Sequence, residues 1–214
     1  MIQDQNPAST SPDALLAFAI ELAQATRPIV LPMFRTPMAV DNKLAGGFDP
    51  GTPTWMTLVG VRHAGRMVAG VAGQPFTDEI FAGTAAGSHL LRANRTIGLR
   101  CTSETDLTKV LAGTTAPSLF RKYGHEARLM RIEDAVQSVR YDADAYFHCM
   151  VAAGQLGISL DTGLQSYDIA ALIPIVEGAG GIVTTWDGGD PTDGGDILVA
   201  ANKPLHDQAM ALLA

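Results

Sequence analysis

The stretch from Asp168 to Gly181, Asp-Ile-Ala-Ala-Leu-Ile-Pro-Ile-Val-Glu-Gly-Ala-Gly-Gly, limits the possible folds more than any other part of the chain, because it sets an acid against an otherwise apolar run. Ile169, Leu172, Ile173, Ile175 and Val176 predict a helix over 168–177, and Gly178, Gly180 and Gly181 supply its stop signal. Asp168 stands where that helix begins. An aspartate there is ordinarily a cap that accepts a backbone N–H. A helix start also has unpaired N–H donors and a partial positive charge, which suit a phosphate. Carboxylates beside it could hold the hard cation that phosphate chemistry needs. Asp161, seven residues earlier, is expected in the loop leading up to the helix.

Ahead of this stretch the periodicity changes twice. Ser11-Pro12-Asp13 is a helix start, with a capping hydroxyl, a first-turn proline and a dipole-favoured acid. Leu15, Phe18, Ala19, Leu22 and Ala23 then recur at helical spacing and predict one buried face, the helix ending near Pro32. From Gly51 the runs 55–61, 67–73, 79–82 and 88–101, separated by turn residues, read as an antiparallel meander. Glycines inside these runs suggest close packing against helices. Beyond Leu107, strands at 109–113, 136–141, 158–160, 182–186 and 197–201 alternate with helices at 118–130, 145–153, 168–177 and 204–213. The expectation is an α+β half over 1–104 and an α/β half over 105–214, with a sheet sandwiched by helices in the second, the two packing as one unit.

Composition enters mainly by what it excludes. A net charge of -7 without a Lys/Arg cluster argues against nucleic acid or an anionic membrane as the main partner. No stretch reads as membrane-spanning, since Pro174 and Glu177 interrupt the most apolar one. The first residues lack the pattern of a signal peptide, so a cytoplasmic location is expected. Cys101 and Cys149 form no paired motif and read as reduced, and the scattered histidines make a zinc site improbable. An acidic chain that handles phosphate must create its positive field locally, with metal ions or helix ends.

In the second half, Asp142, Asp144, Asp161 and Asp168 all fall at junctions between predicted elements, where ligand sites of open α/β sheets lie. Each alone is more often a turn or cap residue.

The segment 142–154, followed by Asp161 and then Ser-Tyr-Asp-Ile-Ala-Ala-Leu-Ile-Pro-Ile-Val-Glu-Gly-Ala-Gly-Gly-Ile-Val, resembles the C-terminal signature of the inositol-monophosphatase-like family, closest to its histidinol-phosphatase-like branch. The likeness extends through 51–61, the hairpin to Gln74-Pro75, and Thr114-Thr115-Ala116-Pro117. It implies a layered α-β-α-β-α sandwich and Mg²⁺-dependent hydrolysis of a small phosphate monoester, commonly by a homodimer. By the same resemblance Asp168 matches a metal-binding aspartate. Asp161 falls where the family has an acid, usually glutamate, that contacts the substrate's hydroxyl or amino groups, and its shorter side chain limits its reach. Asp142 and Asp144 occupy the segment lining the substrate pocket. Asp144 fits the branch's Gly-Gly-Asp pattern and Asp142 departs from it. Lys43 falls near a lysine at the entrance of family active sites. The implied substrate is histidinol phosphate, with an inositol or other sugar phosphate as the alternative.

The resemblance breaks between Pro50 and Gly51. Family members there have a helix, a metal-binding glutamate and an Asp-Pro-x-Asp-Gly-Thr motif, whose threonine is associated with activating the water. Without that segment no water-activating residue can be assigned and most metal ligands are missing. Either the chain is continuous at this junction and is a non-catalytic relative, or the protein carries a further segment there. Losing a core helix and strand would expose packed apolar surface at about 25 cal/mol per Å², which favours the second alternative.

Overall fold

Ser11 opens the first helix: its Oγ accepts the Ala14 N–H at 3.2 Å, and α1 runs Pro12–Val30 before a single 3₁₀ turn, Leu31–Met33. The structure, a computed structural model, describes residues 11–34 and 53–214. Lys43 and the Pro50–Gly51 junction lie outside the described residues. The buried face of α1 is Leu16, Ala19 and Ala23, while Phe18 is 58% and Leu22 41% exposed, so the expected face is rotated. The small side chains explain the rotation. Ala19 and Ala23 let the helix lie close on the sheet, and a Cβ at Gly73 would meet Ala23 Cβ at 3.5 Å. One helix does have the length and apolar content to cross a membrane, namely α1 with its 3₁₀ turn, Pro12–Met33, where the sequence reading found no such stretch. Here it packs along one sheet.

That sheet is the expected meander. Its strands β1 (Thr57–His63), β2 (Arg66–Gln74), β3 (Glu79–Thr84), β4 (Gly87–Arg92) and β5 (Arg95–Gly98) pair antiparallel in sequence order. Two of its turns, Ala64-Gly65 and Ala93-Asn94, have positive φ at both central positions, which suits the right-handed twist of a tight hairpin.

The second half supplies β6 (Leu111–Thr114), α2 (Pro117–Tyr123), α3 (Glu126–Ala135), β7 (Ser138–Tyr141), α4 (Ala145–Ala152), β8 (Ile158–Gln165), α5 (Ser166–Ile169), α6 (Leu172–Gly178), β9 (Ile182–Thr185), β10 (Gly194–Ala200) and α7 (Lys203–Leu213). Its sheet has the order β7-β6-β8-β10-β9, parallel across the first three strands and antiparallel across the rest. The helix expected over 118–130 is two, because Gly124 adopts φ 76 and caps α2. The layers run α1, first sheet, α4 with α6, second sheet, then α2, α3 and α7, the α-β-α-β-α order.

The apolar segment after Asp168 is likewise two helices rather than one. Pro174 has no N–H for the carbonyl of Ala170, so the chain breaks at Ala170-Ala171 and restarts as α6 with the proline in its first turn. Both sheets cover α6, whose residues 172–176 are buried. It fits against the meander because Gly70 and Gly83 have no side chain. A Cβ at Gly70 would lie 1.9 Å from the Ala171 carbonyl oxygen, and one at Gly83 2.6 Å from Ile175 Cα. Ser88 Oγ then donates to the Ile175 carbonyl at 2.7 Å.

Candidate active site

The parallel strands β6, β7 and β8 bring their C-terminal ends to one edge of the second sheet, as the crevice rule for open sheets anticipates. Thr115 follows β6, the turn Asp142-Ala143-Asp144 follows β7, and α5 with Asp168 follows β8. Four acids scattered over 27 positions of sequence thereby become neighbours, close enough that Asp142 and Asp161 act electrostatically on Asp144, and Asp161 on Asp168.

The four have different surroundings. Asp161 lies within β8 and not in the expected loop, because the strand runs on to Gln165; it is 1% exposed and both of its oxygens have protein partners. Its Oδ1 accepts the Thr114 hydroxyl at 3.1 Å and the Thr115 N–H at 2.8 Å, while Oδ2 lies 3.3 Å from His148 Nε2. Asp168 is the third residue of α5, not its cap. It closes a capping box in which its Oδ2 accepts the Gln165 N–H at 2.8 Å. A helix of one turn has little macrodipole, so the expected phosphate-facing helix end contributes little here. Asp142 and Asp144 lie on the exposed turn, at φ 71 and φ 44, a region that disfavours L side chains. The turn is tied back to β6, since the Asp142 N–H donates to the Thr115 carbonyl at 3.0 Å and the Asp144 carboxylate accepts from the Thr115 hydroxyl.

Two carboxyls hold their protons above the usual range. For Asp144, exposed by surface area but crowded by surrounding protein atoms, the chief cause is the resulting desolvation, followed by the negative charges of Asp161 and Asp142, with the Thr115 bond opposing. For Asp168 desolvation again leads. The Gln165 N–H opposes it and the charge of Asp161 adds to it.

His148 is a member of this cluster that the sequence reading passed over. It lies on α4, is 2% exposed, and its Nδ1 is 2.7 Å from Ser159 Oγ. Two local signals were available. His148 follows Asp144 by four residues along α4, and Ser159 precedes Asp161 by two on a strand, which puts each pair on one face.

An ion such as Mg²⁺ needs about six oxygen ligands in near-octahedral array. Among the described residues, no group of three or more His, Cys, Asp or Glu side chains is placed to hold a metal ion. Asp168 has one free oxygen, while Asp161 has already spent its own on protein donors. The described residues therefore do not make a metal cage.

A layered α-β-α-β-α protein with carboxylates gathered at the C-terminal ends of parallel strands is thus defined. The model of the inositol monophosphatase family matches residues 45–214, and the chain belongs to that family. The matched residues take in the Pro50–Gly51 junction. A curated inositol-1-monophosphatase of Mesorhizobium japonicum is 31% identical over 165 residues, covering 74% of this chain and 60% of the relative. A histidinol-phosphatase of Mycobacterium tuberculosis is 29% identical over 171 residues, covering 78% and 64%. The solved structure of an inositol monophosphatase from Zymomonas mobilis superposes with a TM-score of 0.82 at 24% identity, covering 95% of this chain and 98% of that one, a likeness of fold. The chain spans between 49% and 64% of the length of the curated relatives it matches.

Proposed function

We propose that this chain is the larger part of a phosphatase for a small polar phosphate monoester, with histidinol phosphate the leading substrate. The convergence of Asp142, Asp144, Asp161 and Asp168 on one sheet edge supports the reading. Exposed acids on the Asp142–Asp144 turn suit a substrate carrying an ammonium group, and one of the matched relatives is a histidinol-phosphatase. Asp168 is the carboxylate offered to a cation. A bound Mg²⁺ would supply charge neutralisation at the phosphate, but its remaining ligands are not among the described residues. Lys43, at the pocket entrance in this reading, lies outside them too. A homodimer in the cytoplasm completes the proposal, and sedimentation tests the dimer.

A panel of phosphate esters with saturating Mg²⁺ tests the substrate. Preference for an uncharged polyol phosphate over an aminoalcohol phosphate would move the assignment to inositol or another sugar phosphate. Asp168→Ala is expected to abolish hydrolysis, and a parental rate in that variant would remove Asp168 from the site.

One observation favours a second reading, that of a non-catalytic relative acting as a binding or assembly partner: the described residues lack a three-ligand group. Calorimetry separates the two. No Mg²⁺ binding, even with phosphate present, would select it.

A further inference from the structure

Asp161 was expected to contact substrate, yet its oxygens face the interior and are all engaged. Its role has to be sought along the bonds it makes. A carboxylate oxygen accepts, so the 3.3 Å contact between Asp161 Oδ2 and His148 Nε2 favours a hydrogen on Nε2. With that hydrogen on Nε2, Nδ1 is the acceptor for the Ser159 hydroxyl 2.7 Å away. On its other side Asp161 grips Thr114 and Thr115, and Thr115 grips the Asp142–Asp144 turn through both its carbonyl and its hydroxyl. The chain of bonds runs from β8 through α4 and β6 to the strained turn that opens α4. His148 is anchored one helical turn beyond Asp144 on the same helix.

We propose, building on the phosphatase reading, that His148 is a positioning residue. Through Asp161 and Thr115 it fixes the Asp142–Asp144 turn, so that Asp144 and not Asp161 is the carboxylate presented to the cationic part of an aminoalcohol phosphate. The buried Ser159-His148-Asp161 series performs no nucleophilic chemistry, because Ser159 is wholly buried. It sets the geometry of the turn and thereby the choice between a charged and an uncharged alcohol.

Three measurements test this. Nitrogen NMR of the wild-type imidazole should show His148 protonated at Nε2, and a hydrogen on Nδ1 alone would overturn the proposal. Amide exchange at Thr115 and at residues 142–145 should quicken about tenfold or more in His148→Ala, with the meander unchanged, and should return to near the parental rate in His148→Gln, whose amide can donate to Asp161. Unchanged exchange in His148→Ala would overturn it. In steady-state kinetics, the preference for ethanolamine phosphate over glycerol 2-phosphate should fall about tenfold in Asp144→Asn and in His148→Ala, with the change in KM rather than kcat. Loss of that preference in Asp161→Asn while exchange at 142–145 stays parental would show that Asp161 itself meets the substrate, and would also overturn it. If the wild-type protein hydrolyses no phosphate ester, the phosphatase reading fails, while the NMR and exchange results still decide the positioning role.

Discussion

Asp144 combines two unfavourable features at one position. Its backbone, at φ 44 and ψ -134, is one that glycine tolerates and an L residue resists, and its carboxyl holds its proton above the ordinary value of 3.8 because burial and neighbouring acids disfavour the charge. These costs separate by pH. The unfolded chain ionises Asp144 near 3.8. With a raised folded-state value, the favourable contribution is complete below that pH and is lost as pH rises through the folded value. Asp144→Asn removes the charge but keeps the strain, so it should raise Tm by about 1–3 °C at pH 7 and leave it nearly unchanged at pH 3. Asp144→Gly also relieves the backbone, worth about 1 kcal/mol, and should raise Tm by about 2–4 °C at pH 3 and by that amount plus the charge contribution at pH 7. Thermal melts of the two variants at both pH values check this. A strained, charge-disfavoured acid kept on a turn is the sort of outlier from which a functional role is inferred. Asp142, Asp144 and Asp168 stand at or beside element ends as their sequence context suggested, whereas Asp161 lies inside β8. The acids' division of labour was not legible in sequence, since the partners that turn Asp161 inward, Thr114 and His148, are 47 and 13 positions away.

The meander could be read from its turn residues, and the alternation of strand and helix gave the second sheet. Three elements differed, each for a local reason: Gly124 splits one helix, Pro174 splits another through a carbonyl four residues upstream, an effect that apolar periodicity does not register, and the run 88–101 is two strands joined by the positive-φ turn Ala93-Asn94. The rotation of α1 depended on something non-local, the fit of Ala19 and Ala23 to the sheet. Glycines inside strands predicted close packing, and Gly70 is where that packing is tightest. In Gly70→Ala the new methyl would need the space of the Ala171 carbonyl oxygen, 1.9 Å away, with the Pro174 ring at 2.7 Å. A loss of about 3 kcal/mol, or roughly 6–12 °C in Tm, is expected. Gly98→Ala, where a Cβ meets nothing within 4 Å, is the control and should change stability by less than about 0.5 kcal/mol. A thermal scan compares them. Because α6 starts directly after α5, displacing it in Gly70→Ala also shifts Asp168.

At the scale of the whole molecule, the fold has five layers, while the proposed reading gives a cation a single carboxylate, Asp168, among the described residues. Desolvation first, and neighbouring carboxylate charge after it, raises the proton affinity of Asp144 and Asp168. A bound divalent ion would reverse that and would add stability in proportion to the logarithm of its concentration over Kd. Two linked outcomes follow. If the remaining ligands are present in the protein, the intact mass exceeds that of 214 residues by several kDa, or the chain outside the described residues supplies them. Calorimetry at pH 7 then shows Mg²⁺ binding, and a Mg²⁺ concentration of about 100 times Kd raises stability by about 2.7 kcal/mol, readable as a Tm increase of roughly 5–10 °C that EDTA reverses. If the mass matches 214 residues and neither Mg²⁺ nor EDTA moves Tm, the cage is absent, and the five layers serve binding or assembly instead of hydrolysis. Repeating the scan in Asp168→Asn distinguishes the site from adventitious binding elsewhere on an acidic surface. The Mg²⁺-dependent rise should disappear in that variant, whereas ions bound at scattered surface carboxylates would leave it intact.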